Sequence, residues 1–293
     1  MTTLNSTQQA AVSAASGPVL VLAGAGSGKT RVIIERMAWL VEEEGVSPRS
    51  LLALTFTNKA ASEMRTRFAR RLGVETVPAF IGTFHSFGLW VLRREAETLN
   101  LSPNFTIFDD SDQLSLMKRL VKDLPKSFLA VSPRDALRFI SQIKQVEPYP
   151  NWSDPAESLE EKSFRELWAR YHDALKACSA LDFDDLTALT AHLFSTSPDA
   201  CERYRRRFAH VLVDEYQDTN RSQYVIARSL GLDSNLFVVG DEDQSIYSWR
   251  GADINNILEF ERDYPEAKVI RLEENYRSTA PILAAASRLI GHN

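Results

Sequence analysis

The amino-acid sequence predicts an α/β fold: a parallel sheet flanked by helices, with an inserted all-helical subdomain. Two observations point there. Short apolar, β-branched runs recur between amphipathic helical stretches at 18–23, 51–56, 77–83, 211–213, 236–239 and 269–272, the pattern of strands buried on both faces of a parallel sheet. From about 84 to 195 helix follows helix with no comparable run, broken by Pro103, Pro133, Pro148, Pro150 and Pro155, as in a helical insertion. A length of 293 residues exceeds the usual size of one hydrophobic core, which agrees with that division. The expected organisation is the first part of the sheet domain at 1–84, the insertion at 85–195, and the rest of the sheet domain at 196–272. A further segment at 273–293 enters an Ala-rich helix after Ser278-Thr279-Ala280-Pro281.

Composition narrows the class. Apolar residues make up 44% and charged residues 25%, with 12 Gly and 12 Pro, an ordinary globular balance and not a disordered or fibrous one. The net charge of -5 argues against a uniformly basic nucleic-acid coat but leaves room for a local basic groove. Cys178 and Cys201 have no close-spaced partners, so neither a disulfide framework nor a zinc site is indicated, and a reducing cytoplasm fits. The opening Met1-Thr2-Thr3-Leu4-Asn5 lacks the basic-then-apolar layout of a signal peptide, and no apolar run approaches membrane-spanning length. The expectation is a cytoplasmic protein that does not engage a membrane.

The first run leads into Ala23-Gly24-Ala25-Gly26-Ser27-Gly28-Lys29-Thr30, and a helical pattern follows at 31–42. Strand, glycine loop and helix in that order form a phosphate cradle. Glycines let successive backbone N–H groups turn toward an anion, and the helix N-terminus adds partial positive charge. Lys29 then reaches the β and γ phosphates of ATP, and Thr30 offers its hydroxyl to Mg2+. Ala23 stands where the usual pattern has glycine, a small-residue departure. The bland reading, a glycine-rich turn without nucleotide, would make the strand, the helix and the Lys-Thr pair a coincidence.

The run at 211–213 ends in Asp214-Glu215, where an open α/β sheet presents residues to its ligand. Asp214 suits the magnesium shell, and Glu215 suits orienting or deprotonating an attacking water. By itself such a pair is a weak signal, because solvated strand ends also carry carboxylates. Its partnership with the phosphate loop strengthens it.

Asp214-Glu215-Tyr216-Gln217-Asp218-Thr219-Asn220, together with that loop, resembles the superfamily 1A DNA helicases of the UvrD/Rep/PcrA type. Other matches fall in order. Leu4-Asn5-Ser6-Thr7-Gln8 resembles the family's Q motif, Thr55-Phe56-Thr57-Asn58-Lys59-Ala60-Ala61 its motif Ia, and Gly82-Thr83-Phe84-His85-Ser86 the next DNA-side motif. Val239-Gly240-Asp241-Glu242-Asp243-Gln244-Ser245-Ile246-Tyr247-Ser248-Trp249-Arg250-Gly251 resembles motif III, and Glu274-Asn275-Tyr276-Arg277-Ser278 resembles motif IV. The resemblance implies a RecA-like P-loop NTPase sheet, motor domain 1A, interrupted by a helical domain 1B, with 273–293 beginning a second motor domain, 2A. Motifs V and VI lie outside these residues, so the chain is expected to be the N-terminal portion of a longer helicase that binds ATP between two motor domains.

By position, the resemblance assigns Gln8 to reading adenine, with Arg31 and Tyr276 flanking the base. It makes Gln244 a γ-phosphate sensor and Arg277 a finger that stabilises transition-state charge. It places DNA contacts at Phe56, Asn58, Lys59, Thr83, His85, Tyr247, Trp249 and Arg250, where aromatic rings can stack on bases of any sequence and cations can hold phosphates. Taken singly, each aromatic reads more simply as core packing, Gln8 as an exposed helix-start glutamine, and Arg277 as a surface ion pair. Arg65, Arg67, Arg70 and Arg71, beside Glu63, read as a solvated helix face and not a DNA groove, and so do Arg203, Arg205, Arg206 and Arg207. Asp182, Asp184 and Asp185 read as helix capping and not as a metal site.

The implied function is ATP-driven 3′ to 5′ translocation on single-stranded DNA, with unwinding at duplex/single-strand junctions in repair or replication. These residues alone are expected to hydrolyse ATP slowly or not at all, because the second motor domain is their partner in cis. The rival readings are a non-catalytic ATP- and DNA-binding interaction module, a small P-loop kinase or transferase, for which no acceptor lid is visible, and a recombination helicase-nuclease.

Overall fold

The structure, a computed structural model, describes residues 4–150, 152, 154–231, 235–248 and 251–290. The first elements in chain order are α1 (Ser6–Val12), β1 (Val19–Ala23), α2 (Lys29–Glu42), β2 (Leu51–Thr55), α3 (Asn58–Arg71), β3 (Phe80–Thr83) and α4 (Phe84–Arg94). There follow β4 (Thr106–Ile107), α5 (Asp110–Lys122), α6 (Pro133–Val146), α7 (Leu159–Ala177), β5 (Ala180–Leu181), α8 (Phe183–Thr196) and α9 (Pro198–Arg207). The last are β6 (His210–Val213), α10 (Arg221–Gly231), β7 (Asn235–Gly240), α11 (Asn255–Leu258), α12 (Phe260–Asp263), β8 (Lys268–Leu272) and α13 (Ala280–Ile290). The chain divides into two compact units, one comprising 1–84, 201–220 and 227–293, the other 85–200 and 221–226.

All six expected strands exist, and they form one parallel sheet in the order β3-β2-β6-β7-β1-β8. The register pairs Val21 with Val239, Val213 with Val238, and Leu54 with Val213. Because the strands are parallel, the C-terminal ends of the neighbours β2, β6, β7 and β1 lie along one edge. The core of this unit joins Val21, Leu212 and Val239 of the sheet to Ile33 and Met37 of α2 and Phe68 of α3. Arg36, 3% exposed, donates to the carbonyls of Val12 at 2.8 Å and Ala14 at 2.7 Å, which ties the end of α1 to α2. Burial lowers its pKa to about 10.

The second unit holds its own core, in which Leu116 and Met117 of α5, Ile140 of α6, and Leu167 and Tyr171 of α7 cluster. It is not wholly helical: β4 and β5 pair in parallel, Thr106 with Ala180 and Ile107 with Leu181. A two-residue strand has no readable period, which is why the sequence pattern misses it. At its centre Lys144, 1% exposed, lies 2.7 Å from both Asp182 and Asp185, and the Tyr171 hydroxyl donates to Asp182 at 3.1 Å. Asp182 also caps α8, accepting from Asp185 N at 3.0 Å. These acids therefore serve capping and packing, as expected.

Three expected runs are trimmed, while β6, β7 and β8 each extend a residue beyond theirs at one or both ends. The expected strand at 77–83 begins only at Phe80, since Pro78 has no N–H for a ladder. The run at 18–23 begins at Val19, after Pro18, and the run at 51–56 ends at Thr55. Arg71 departs from the solvated-face expectation: it bonds Glu35 at 2.8 Å and Glu42 at 2.9 Å, joining α3 to α2. Arg67 keeps it, paired one turn away with Glu63. Among the described residues no helix is long and apolar enough to cross a membrane.

Candidate functional site

The chain leaves β1 through a loop in which Gly26 (φ 74°) and Gly28 (φ 94°) adopt left-handed backbone, a conformation that costs other residues about 1–2 kcal/mol. Gly28 then caps α2, so Lys29 and Thr30 stand in its first turn with the loop in front of them. The Lys29 ammonium is buried and, among the described residues, makes no hydrogen bond. It sits 3.5 Å from Glu215 and 3.5 Å from Asp241, within ion-pair reach of both carboxylates and hydrogen-bonded to neither. Thr30 donates its hydroxyl to Asp214 at 3.5 Å. The ends of β1, β7 and β6 thus converge, and sheet order makes those three strands neighbours.

Burial and the charge of Glu215 push the Asp214 carboxyl up to about 7, and the same causes raise Asp218 to about 6. The site therefore holds more carboxylate than its single lysine offsets. Hard oxygen donors with excess negative charge suit Mg2+, which needs only one or two protein carboxylates and keeps several waters. Thr30 and Asp214 would hold it. Among the described residues no cluster of three or more His, Cys, Asp or Glu forms a self-sufficient metal cage.

Glu215 occupies the left-handed region at φ 52°, a strained position for a residue with a Cβ. Two local bonds hold it there: its own N–H donates to Asp214 at 3.1 Å, and its carbonyl accepts from Asp218 N at 2.9 Å. Gln244 bonds Asp241.

The segment after β8 lies on the loop. Tyr276 N donates to the Gly26 carbonyl at 3.0 Å, Asn275 bonds the Ala25 carbonyl, and Arg277 N donates to Asn275 at 2.9 Å. A Cβ added to Gly26 would come within 2.6 Å of Arg277 Cβ. Arg277 and Tyr276 are therefore brought to the phosphate loop, and the Tyr276 hydroxyl accepts from Asn5 at 2.8 Å. Gln8 differs from its exposed-glutamine reading. It is 1% exposed, completes a capping box with Asn5, and donates to the Ser27 carbonyl at 2.8 Å. Its amide is thus partly committed to holding α1 against the loop. Arg31 sits beside these residues in the first turn of α2.

On the adjoining strand end, Phe56 and Tyr247 stack with ring centroids 4.9 Å apart. A cavity of about 400 Å³ is lined by Thr30, Asp214, Glu215 and Gln244 of the expected nucleotide residues and by Phe56 and Tyr247 of the expected DNA residues. Asn58 and Lys59 are exposed at the start of α3. Thr83, at the end of β3, is 7% exposed. His85 belongs to the second unit, where it meets Phe183 edge-on at 6.2 Å. Trp249 and Arg250 fall outside the described residues.

Asp241, Gln217 and Asn275 were not singled out from the sequence. Asp241 carries a signal that was there to read, since it follows an apolar strand just as Asp214 does. Gln217 and Asn275 lie inside the motif strings that carry the resemblance, which marks their segments but gives neither residue a role.

A model described as the UvrD/REP helicase N-terminal domain matches residues 4–265. The chain is similar to the ATP-dependent DNA helicase PcrA of Leuconostoc citreum, 47% identical over 293 residues, covering 99% of this chain and 39% of that protein. It is 47% identical over 295 residues to the ATP-dependent DNA helicase PcrA of Bacillus subtilis, covering 99% and 40%. Against that of Staphylococcus epidermidis the figures are 46% over 292 residues, 99% and 40%. The chain thus spans about 40% of the length of these relatives.

Proposed function

The chain belongs to the UvrD/REP helicase family, and on that premise we propose that residues 1–293 form the ATP-binding portion of a motor that moves 3′ to 5′ along single-stranded DNA and opens duplex/single-strand junctions, in repair or replication. One observation carries the reading: the buried ammonium of Lys29, the first residue of the helix after the glycine loop, has no hydrogen bond among the described residues and lies 3.5 Å from each of two carboxylates. An ammonium with its donors unfilled beside such a loop can donate to phosphate oxygens, the loop offers the backbone donors that a triphosphate accepts, and Mg2+ would offset the surplus carboxylate charge.

In this reading Lys29 holds the terminal phosphates while Tyr276 and Arg31 border the base and Gln8 reads its edge. Thr30 and Asp214 would hold Mg2+, which would supply positive charge to offset the negative charge of the phosphates. Glu215 accepts a proton from the water that attacks the terminal phosphorus, as the bond to the ADP oxygen breaks. Gln244 senses the γ-phosphate, and Arg277, carried to the loop by the Asn275 and Tyr276 contacts, offers charge to the transition state. Phe56 and Tyr247, already stacked, supply an aromatic platform for bases, with Asn58 and Lys59 beside it for phosphates. Residues 273–293 are the approach to a second motor domain, the partner in cis.

Phosphate release and fluorescent-nucleotide binding test this, with and without single-stranded DNA, for the chain, Lys29→Ala and Glu215→Gln. Residues 1–293 alone are expected to bind nucleotide, to release phosphate slowly and to unwind nothing. Binding and turnover indifferent to Lys29→Ala would defeat the proposal, and robust unwinding by these residues alone would defeat its division of labour.

A further inference from the structure

Gln217 is a polar side chain only 1% exposed, and both ends of its amide are used. Its Nε2 donates to Glu215 Oε2 at 3.0 Å and lies 3.4 Å from Asp218 Oδ2. Its Oε1 accepts from the backbone N of Asp241 at 3.0 Å. One amide therefore links the carboxylate after β6 to the main chain at the end of β7, where Asp241 in turn meets Lys29 and Gln244. The approach is close. A Cβ at Gly240 would stand 2.9 Å from Gln217 Oε1 and 2.6 Å from Ile257 Cδ1, so a larger residue there would push the amide off its partners.

We propose that Gln217 is a positioning residue for ATP hydrolysis: its amide fixes the Glu215 carboxylate and ties it to Asp241, so that the base and the segment leading to Gln244 keep one geometry. Glu215 needs such a support. Its side chain is 34% exposed and its backbone is in the left-handed region, so neither packing nor an ordinary conformation sets its direction. Among the described residues its carboxylate meets Lys29 at 3.5 Å, a loose ion pair, and Gln217 at 3.0 Å, a directional bond. A carboxylate released by even 1 Å from its productive place loses about 100-fold in rate, while phosphate binding through Lys29 and the loop does not pass through Gln217.

The inference rests on the proposed ATPase reading, and two substitutions separate them. Gln217→Met keeps the length and removes both polar ends. Gln217→Glu keeps an acceptor for Asp241 N and removes the donor to Glu215. Single-turnover hydrolysis and nucleotide affinity are measured for both beside wild type and Lys29→Ala. Expected is a loss of about 10- to 100-fold in the rate of the chemical step for both variants, with nucleotide affinity within about twofold of wild type, since the phosphate cradle is untouched. Recovery of the wild-type rate in Gln217→Glu would overturn the proposal, because it would reduce Gln217 to a cap on Asp241 N. If wild type and Lys29→Ala bind nucleotide alike, the ATPase reading fails and the proposal with it; if binding depends on Lys29 but turnover is too slow to compare, the crystal structure of Gln217→Met decides the positioning claim: a Glu215 carboxylate displaced from its place beside Lys29 upholds it, and an unmoved one refutes it.

Discussion

Replacing Lys144 with methionine keeps the length of the side chain and removes its charge from the centre of the second unit. Lys144 is 1% exposed and lies 2.7 Å from both Asp182 and Asp185, and those acids raise its pKa despite burial. Burial and the neighbouring Asp182 push Asp185 up to about 7, while Lys144 holds Asp182 below the usual carboxylate range. The wild-type cluster is thus a lysine paired with one firm carboxylate and one that gains its proton near neutrality. Without the lysine, two carboxyls remain in a site with no compensating cation. Breaking a buried pair from one side costs about 3–5 kcal/mol. Part of that cost is relieved by protonation, at about 1.4 kcal/mol per pH unit for each group that takes up a proton. Urea unfolding followed by circular dichroism should therefore show Lys144→Met destabilised by about 3–5 kcal/mol at pH 8 and by distinctly less at pH 6. Asp185→Asn in the same background should restore part of the loss at pH 8. A loss below about 1 kcal/mol at pH 8, or one of equal size at both pH values, would refute the account of this cluster as a buried, mutually dependent charge network.

The same cluster sets a sign for pH. Asp185 binds a proton in the fold up to about pH 7 that the unfolded chain releases near 3.8, so its contribution is full below about pH 4 and is lost as pH climbs to 7. His210, lowered to about 4 by burial, acts oppositely: its contribution is full above about pH 6.5 and is lost as pH falls to about 4. Thermal melts of Asp185→Asn across pH 5–8 should show the acid-side advantage flattened relative to wild type. Glu215→Gln should keep nucleotide affinity and lose at least about 100-fold in phosphate release, and a parallel loss of affinity would argue against a base. Gly26→Ala combines a φ of 74° with a Cβ 2.6 Å from Arg277 Cβ; fluorescent-nucleotide titration should show affinity reduced about tenfold or more, from about 1–2 kcal/mol of backbone strain plus displacement of the Asn275–Arg277 contacts. Tyr247→Ala should weaken binding of single-stranded oligonucleotides by about 1–3 kcal/mol with little sequence preference, read by fluorescence anisotropy at fixed salt.

The six sheet strands, the glycine loop and α2 were legible in the sequence because each is a local pattern: short continuous apolar runs, the φ freedom of Gly26 and Gly28, the apolar spacing of 31–42. Motifs quoted from Leu4 to Ser278 carried the family resemblance for the same reason, as contiguous strings of residues. Strand order was another matter. Only the tertiary structure set β6 and β7 between β2 and β1, and so brought Asp214 and Asp241 to Lys29 across gaps of 185 and 212 positions in the chain. It also decided that Gln8 is buried against Ser27, that Arg71 serves α2 and not solvent, that Thr83 is buried, and that β4 and β5 pair inside the helical insertion. The physical reason is one of range. Periodicity and turn chemistry act over a few residues, whereas hydrogen bonds between amides such as Gln217 and carboxylates such as Glu215 depend on which strand ends the packed core makes neighbours.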